Sequence, residues 1–368
     1  MQQTDGFNTR RQFLRGAAAS GIAFCGCGWP SMAAAQSTLP ARRPVTVNGK
    51  RVKTIDVHSH CLFHEATALL REDRDRIGMG GAGGKDLYID LDTRLKAMDS
   101  QAIDMEVLSM NPYWYGRERD LAAKIVQIQN EKLAEFVATH HDRFAGFASL
   151  TLQDPQLARE ELETAVKKQG LRGAAIGGTV AGAPFSDAKF HPVWQKAEEL
   201  GAVLFIHPVG IPELNPLLTG NGFLRNLIGN PLETTIALQH LIFEGTLDRF
   251  PGLKILAAHG GGYLPSYAGR SDHACVVGDR FCSKDIVLKK KPSEYLNQLY
   301  FNSLVFTPEA LRHLAAQVGV SQLMVGSDVP FPWEAHPVDH VLATTTLSDD
   351  EKIAILGGNA AKLFGLPT

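Results

Sequence analysis

Short runs of apolar and β-branched residues alternate along most of this chain with longer stretches in which apolar residues recur at helical spacing. The short runs fall at Thr54–Val57, Met105–Ser109, Phe144–Ser149, Gly173–Ile176, Val203–Ile206, Lys254–Ala258, Leu299–Asn302 and Leu323–Gly326. Between them, Leu121, Ile125, Ile128 and Leu133 mark one helix, and Leu232, Ile236, Leu241 and Phe243 mark another. Strands that alternate with helices pair in parallel, because each return needs a crossover. Eight such strands are the number that closes a barrel. An open doubly wound sheet has the same periodicity, so the polar residues must decide. They sit at the C-terminal ends of the first, fifth, sixth and eighth runs, and only closure gathers those ends around one axis. The pattern therefore predicts an α/β fold of the (β/α)8 TIM-type barrel, a single catalytic domain over residues 54–368.

What precedes the barrel is of another kind. Thr9-Arg10-Arg11-Gln12-Phe13-Leu14 is a twin-arginine pattern, followed by a small-residue apolar stretch from Gly16 to Gly28 and then Ala33-Ala34-Ala35. This reads as an export signal over residues 1–35, cleaved near Ala35, and it predicts a periplasmic protein. The apolar stretch is shorter than the roughly 20 residues that span a bilayer, so no permanent membrane anchor is expected. Residues 36–53 are polar and carry Pro40 and Pro44, as in a linker or an edge segment. Cys25 and Cys27 would leave with the signal, and the remaining three, Cys61, Cys275 and Cys282, are an odd number that gives no sign of a disulfide framework. A formal net charge of −2 over 368 residues gives no basic face for nucleic acid.

The chemistry lies at the strand ends. The first strand ends Ile55-Asp56-Val57-His58-Ser59-His60, and residues two apart on a strand share a face, so His58 and His60 project together. The fifth ends in His207 before Pro208, the sixth in His259 before Gly260-Gly261-Gly262, and the eighth in Asp328 before Val329-Pro330. Pro208 stops its strand and holds His207 at the terminus. Any one of these would be an ordinary polar strand end, whereas the set describes a catalytic centre. His58, His60 and His207 offer neutral nitrogens to a metal. Asp328 offers an anionic oxygen or accepts a proton from metal-bound water, and His259 is the spare imidazole for acid–base work.

These motifs, with Gly326-Ser327-Asp328-Val329-Pro330-Phe331-Pro332 and the closing Gly358-Asn359-Ala360-Ala361-Lys362-Leu363-Phe364-Gly365-Leu366, resemble the amidohydrolase superfamily. The resemblance is to the branch typified by aminocarboxymuconate semialdehyde decarboxylase, and it runs from about Thr54 to the end. It implies one divalent metal, zinc first and manganese next, held by His58, His60, His207 and Asp328, with His259 as the catalytic imidazole. No lysine follows the fourth run, which ends Ala175-Ile176-Gly177, so the resemblance implies a mononuclear site. It also implies that Arg94 and Arg270 hold the carboxylate of a small-molecule substrate, the second from a neighbouring subunit of a homodimer. The aromatic residues Phe63, Tyr113, Trp114, Phe223 and Trp333 would suit an aromatic or muconate-like acid. The expected reaction is non-oxidative decarboxylation of an unsaturated or aromatic carboxylic acid. The alternative is hydrolysis of a lactone or amide, with metal or without it. A periplasmic binding protein would need no spare imidazole.

Overall fold

A computed structural model describes residues 42–73, 90–278 and 281–367. The twin-arginine segment and the glycine-rich stretch 78–84, expected as a loop over the barrel mouth, lie outside the described residues. The chain first forms an antiparallel hairpin, β1 (Val45–Val47) and β2 (Lys50–Val52). Asn48 and Gly49, both at positive φ (49° and 73°), make its two-residue turn. The segment expected as linker or edge is thus a small sheet of its own. It is tied to the barrel by the buried Asp104, whose Oδ1 pairs with both Arg42 Nε and Arg51 Nη2 at 2.6 Å, while Oδ2 accepts the Thr54 N–H.

Eight parallel strands follow among the described residues: β3 (Ile55–His60), β4 (Met105–Ser109), β5 (Phe144–Gly146), β6 (Gly173–Ile176), β7 (Val203–Ile206), β8 (Lys254–Ala257), β9 (Leu299–Asn302) and β10 (Leu323–Met324). They pair as β3-β4-β5 and as β6-β7-β8-β9-β10, each strand parallel to its neighbour in the chain. Parallel bridges Ala148↔Ala174 and Asp56↔Val325 join the two sheets at both seams, so the strands run in a ring. Five of the eight runs read from the sequence coincide with strands to within a residue at each end, and β3 runs past its run to His60. β5 and β10 are shorter than expected, because Ala148 and Val325 contribute single bridges and not extended ladders.

Side chains alternate between two cores, as period-two strands require. Val57, Val107, Phe147, Phe205, Leu256 and Met324 pack with Phe364 and Leu366 of the C-terminal segment, while Leu108, Ile176, Leu204, Ile255 and Phe301 pack with the helices. The stack of Phe147 on Phe205 (5.4 Å between centroids) continues edge-on to His58 at 5.1 Å, so an apolar floor lies directly beneath the first histidine. The helix Arg119–Thr139 buries Ile125 and Leu133 as its spacing predicts. In the helix Asn230–Phe243 the buried face differs from the predicted one: Leu232, Ile236 and Phe243 are half-buried, whereas Glu233, Thr234, Ala237, Leu238, Leu241 and Ile242 face inward. The reason is Glu233. Its carboxylate accepts the N–H groups of Gly178, Val209 and Gly210, the loops after β6 and β7, and this turns the helix.

The expectation of no disulfide is corrected. Cys275 and Cys282 are bonded, and Cys61 alone is a free, buried thiol among the described residues. Counting three cysteines as unpaired overlooked that two lie seven positions apart beyond one helix, within reach of each other, while the third is locked in the core. No helix among the described residues is long and apolar enough to cross a membrane.

Candidate metal centre and active site

β3 delivers two histidines at once. The Asp56 carboxylate accepts the His58 and Ser327 N–H groups through Oδ1 and the Ser327 hydroxyl through Oδ2. It thereby stitches the first strand to the last where both carry ligands. Burial, with the Glu106 charge nearby, pushes Asp56 up to about 8, against the hydrogen bonds from Ser327 and His58 that favour its charge. His207 follows β7, fixed by its N–H to the Ile176 carbonyl and by the loop that Glu233 holds. Asp328 follows β10 at φ 67° and donates its N–H to the His58 carbonyl. His259 follows β8 at φ 53°. A left-handed backbone at a non-glycine residue is uncommon, and here it occurs at two of the five site residues.

One donor atom from each of His58, His60, His207 and Asp328 lies within 4.8 Å of the others. Asp328 Oδ1 is the hub, 2.8 Å from His60 Nε2, 3.1 Å from His58 Nε2 and 3.8 Å from His207 Nε2. Both ring nitrogens of the buried His207 lack a hydrogen-bond partner. Buried polar atoms are normally satisfied, so a nitrogen orphaned among three other donors fits a cation better than it fits a core. Burial pushes His58 down to about 4 and His207 well below the usual range, which keeps both imidazoles neutral and able to ligate. Burial opposes the Asp328 charge, but the imidazoles gathered around it, His58 first, outweigh it and hold the carboxyl well below its ordinary value.

His259 stands outside this cluster, its Nε2 3.6 Å from Asp328 Oδ2. With Asp328 it lines a cavity of about 90 Å³ whose other walls include Asn226, Asn230, Leu304, Phe306 and Trp333. The three glycines after it serve packing. A Cβ on Gly262 would fall 2.1 Å from the Pro231 carbonyl oxygen, and one on Gly261 would fall 2.5 Å from the Phe301 ring. They let the turn press against the helix that carries Asn230.

The two arginines are not in this cavity. Arg94 is fully buried; its Nε donates to Glu106 Oε2 at 2.6 Å, Nη1 to the His60 carbonyl at 2.8 Å, and Nη2 to the Ser59 hydroxyl. Arg94 was expected at the substrate carboxylate; its contacts with described residues brace the back of the strand that carries His60. Arg270 is exposed on the helix Leu264–His273 and lines a separate cavity with Tyr267, His273, Val277 and Phe281. Asp272 is engaged with Ser293 and not with Arg270. Among the aromatic residues, Trp114 and Phe63 belong to the core, Trp333 lines the cavity with Phe223 stacked on it, and Tyr113 lies near His60.

Sequence reasoning missed Asn302. Its Oδ1 accepts the Gly260 N–H, and its amide nitrogen lies 2.6 Å from His58 Nδ1, so one side chain at the end of β9 sets both a ligand ring and the turn behind His259. The signal was its position: it ends the seventh strand, as the counted residues end or follow the first, fifth, sixth and eighth.

Comparison with known proteins agrees with this geometry. Residues 55–366 match the amidohydrolase family. The chain belongs to that family. It is 33% identical over 284 residues to a 2-amino-3-carboxymuconate-6-semialdehyde decarboxylase from Dictyostelium discoideum, covering 75% of this chain and 77% of that one. It is 31% identical over 298 residues to a gamma-resorcylate decarboxylase from Rhodococcus jostii, covering 75% and 87%. The solved structure of 5-carboxyvanillate decarboxylase from Sphingomonas paucimobilis superposes with a TM-score of 0.77 at 27% identity, over 86% of this chain and all of that one. A dihydroxybenzoic acid decarboxylase from a Polaromonas species, solved with manganese and 2-nitroresorcinol, gives a TM-score of 0.73 at 26% identity, over 85% and 97%.

Proposed function

We propose that the protein is a metal-dependent, non-oxidative decarboxylase of an aromatic or unsaturated carboxylic acid. The observation that carries this reading is the pairing of a four-donor cluster with an imidazole that takes no part in it: His259, facing the cavity beside Asp328. The relatives named above are decarboxylases of small carboxylic acids, which supports the same reaction here. His58, His60, His207 and Asp328 would hold a divalent cation, which would supply Lewis acidity toward the oxygens of the substrate when bound. Manganese is the metal in the Polaromonas structure, and zinc suits three imidazoles and a carboxylate equally well.

The residues of the chain do the proton work. His259 gives a proton to the carbon that bears the carboxylate, with Asp328 beside it stabilising the charged imidazole. The bond to the carboxylate carbon then breaks, its electron pair returns to the π-system, and carbon dioxide leaves. The apolar walls of the cavity favour this loss of a localised charge. His259→Ala should retain the metal and lose at least ~100-fold in turnover, the scale of a general acid–base group. The assay is stoichiometric carbon dioxide release from a panel of hydroxybenzoic and muconic acids. Release of acid from lactones or amides, with no carbon dioxide, would replace the reading with hydrolysis.

The same proposal extends to where and how the enzyme works. The twin-arginine pattern at Arg10-Arg11 and the Ala33-Ala34-Ala35 segment support export to the periplasm by a route that carries folded, metal-loaded proteins. The exposed Arg270, remote from the cavity of its own chain, supports a homodimer in which it reaches the substrate carboxylate of a neighbour. Size measurement of the signal-free protein tests the dimer.

A further inference from the structure

β4 lies beside β3, and the loop that leaves it, Met110-Asn111-Pro112-Tyr113, passes against the second metal-site histidine; the Cys61 N–H donates to the Ser109 carbonyl at 2.8 Å. Asn111 is 8% exposed. Its Nδ2 donates to the Tyr113 hydroxyl at 3.2 Å, and its Oδ1 is buried without a partner. Pro112 gives the loop no N–H that could satisfy it. The Tyr113 oxygen, engaged as an acceptor, still has a proton to donate. Both residues border a cavity of about 10 Å³ whose remaining walls include His60, Leu62, Met110 and Phe331. That volume is about what a single oxygen atom occupies.

We propose that this cavity is a subsite for a hydroxyl group on the substrate, read jointly by Asn111 and Tyr113. The proposal rests on the decarboxylase reading and specifies its substrate class: an acid whose ring bears a hydroxyl remote from the reacting carbon. A hydroxyl donates once and accepts, which is what the pair leaves open: Asn111 Oδ1 takes its proton, and the Tyr113 O–H meets its lone pair. A carboxylate or nitro group only accepts and would face Oδ1 as one acceptor against another. A methoxy group has no proton to give and exceeds the volume. Exchanging the ends of the Asn111 amide leaves the conclusion intact, since the pair then offers an N–H and the Tyr113 oxygen. The subsite borders the metal centre through His60, whose Nε2 is 2.8 Å from Asp328 Oδ1, and Asp328 borders the larger cavity that holds His259. A ring seated across the cluster with its reacting carbon toward His259 would place a far-edge hydroxyl at Asn111.

The test is calorimetric titration of the manganese-loaded protein with 4-nitroresorcinol and with 2-nitrophenol, which differ by one hydroxyl on the ring edge opposite the nitro group. The wild-type protein should bind the first at least ~10-fold more tightly, because a site built to hydrogen-bond a hydroxyl discriminates against its absence. Asn111→Leu should bring the two affinities to within about 2-fold, with metal content unchanged, since the second hydroxyl then meets no acceptor. Tyr113→Phe, which removes a single atom, should narrow the ratio in the same direction and keeps the test open if the leucine variant fails to fold. A wild-type ratio near one overturns the proposal, as does a ratio that neither variant moves, the outcome if the cavity holds only a structural water. Absence of carbon dioxide release with the affinity ratio intact would refute the decarboxylase reading and leave the subsite standing.

Discussion

Replacing Arg94 by methionine separates an arginine that anchors substrate from one that supports the fold. As a substrate anchor, Arg94→Met would raise KM and leave stability alone. As the structure has it, the guanidinium neutralises Glu106 at 2.6 Å with both side chains buried, and it also holds the His60 carbonyl and the Ser59 hydroxyl. Removing one partner of a buried pair leaves an uncompensated charge, a loss of about 3–5 kcal/mol. At ~2.1 cal/mol/K per residue, a folded body of about 330 residues has a melting entropy near 0.7 kcal/mol/K, so Tm should fall by roughly 4–7 °C.

The assay is thermal unfolding of Arg94→Met, Glu106→Gln and the double variant. Because Glu106→Gln removes the charge that Arg94→Met strands, the double variant should recover much of the single variant's loss. Metal affinity should weaken in Arg94→Met as well, since the His60 carbonyl loses its brace. An unchanged Tm in Arg94→Met, together with a raised KM, would refute this reasoning and restore the arginine to the substrate.

Metal analysis of the purified protein should find about one divalent cation per chain; His207→Ala, which removes the orphaned imidazole from the cluster, should lose it, and elemental analysis reads the result directly. Glu233 is raised to about 7 by burial, against the three backbone N–H groups that favour its charge. Its folded form therefore holds a proton that the unfolded chain has given up, so its contribution to stability falls as pH rises from about 4.5 to about 7. Glu233→Gln should remove this slope while lowering stability throughout, because its amide –NH2 cannot accept an N–H; parallel stability curves for the two proteins between pH 4.5 and 8 would count against it. Replacing Cys275 and Cys282 by serine opens a loop of seven residues' separation, for which chain entropy gives a loss of about 2.5 kcal/mol. Denaturant titration measures that loss, and alkylation of the unreduced, unfolded protein should label Cys61 but neither Cys275 nor Cys282.

The elements most legible in the sequence are those whose physics is local. Strands announce themselves by short β-branched runs ended by a breaker, so β4, β6, β7 and β9 begin and end where the pattern says. The site residues were legible for local reasons too: His207, His259 and Asp328 are each the first ionisable residue after an apolar run, and His58 and His60 share one face of a strand. What stayed hidden depends on partners distant in sequence. Arg94 and Glu106 are 12 residues apart on a helix and a strand, and nothing local tells a buried pair from a surface arginine near a pocket. Glu233 sits on an otherwise apolar helix face, where a charge normally argues for solvent; only the loops after β6 and β7, some 23 to 55 residues upstream, supply the N–H groups that reverse the rule. Asn302 and Asp56 are the same case across 42 to 271 residues, linking strands that meet only because the ring closes. The ligands of this site are therefore written in strand ends, whereas the residues that hold those ligands in place meet only on closure, and only a closed barrel could make them readable.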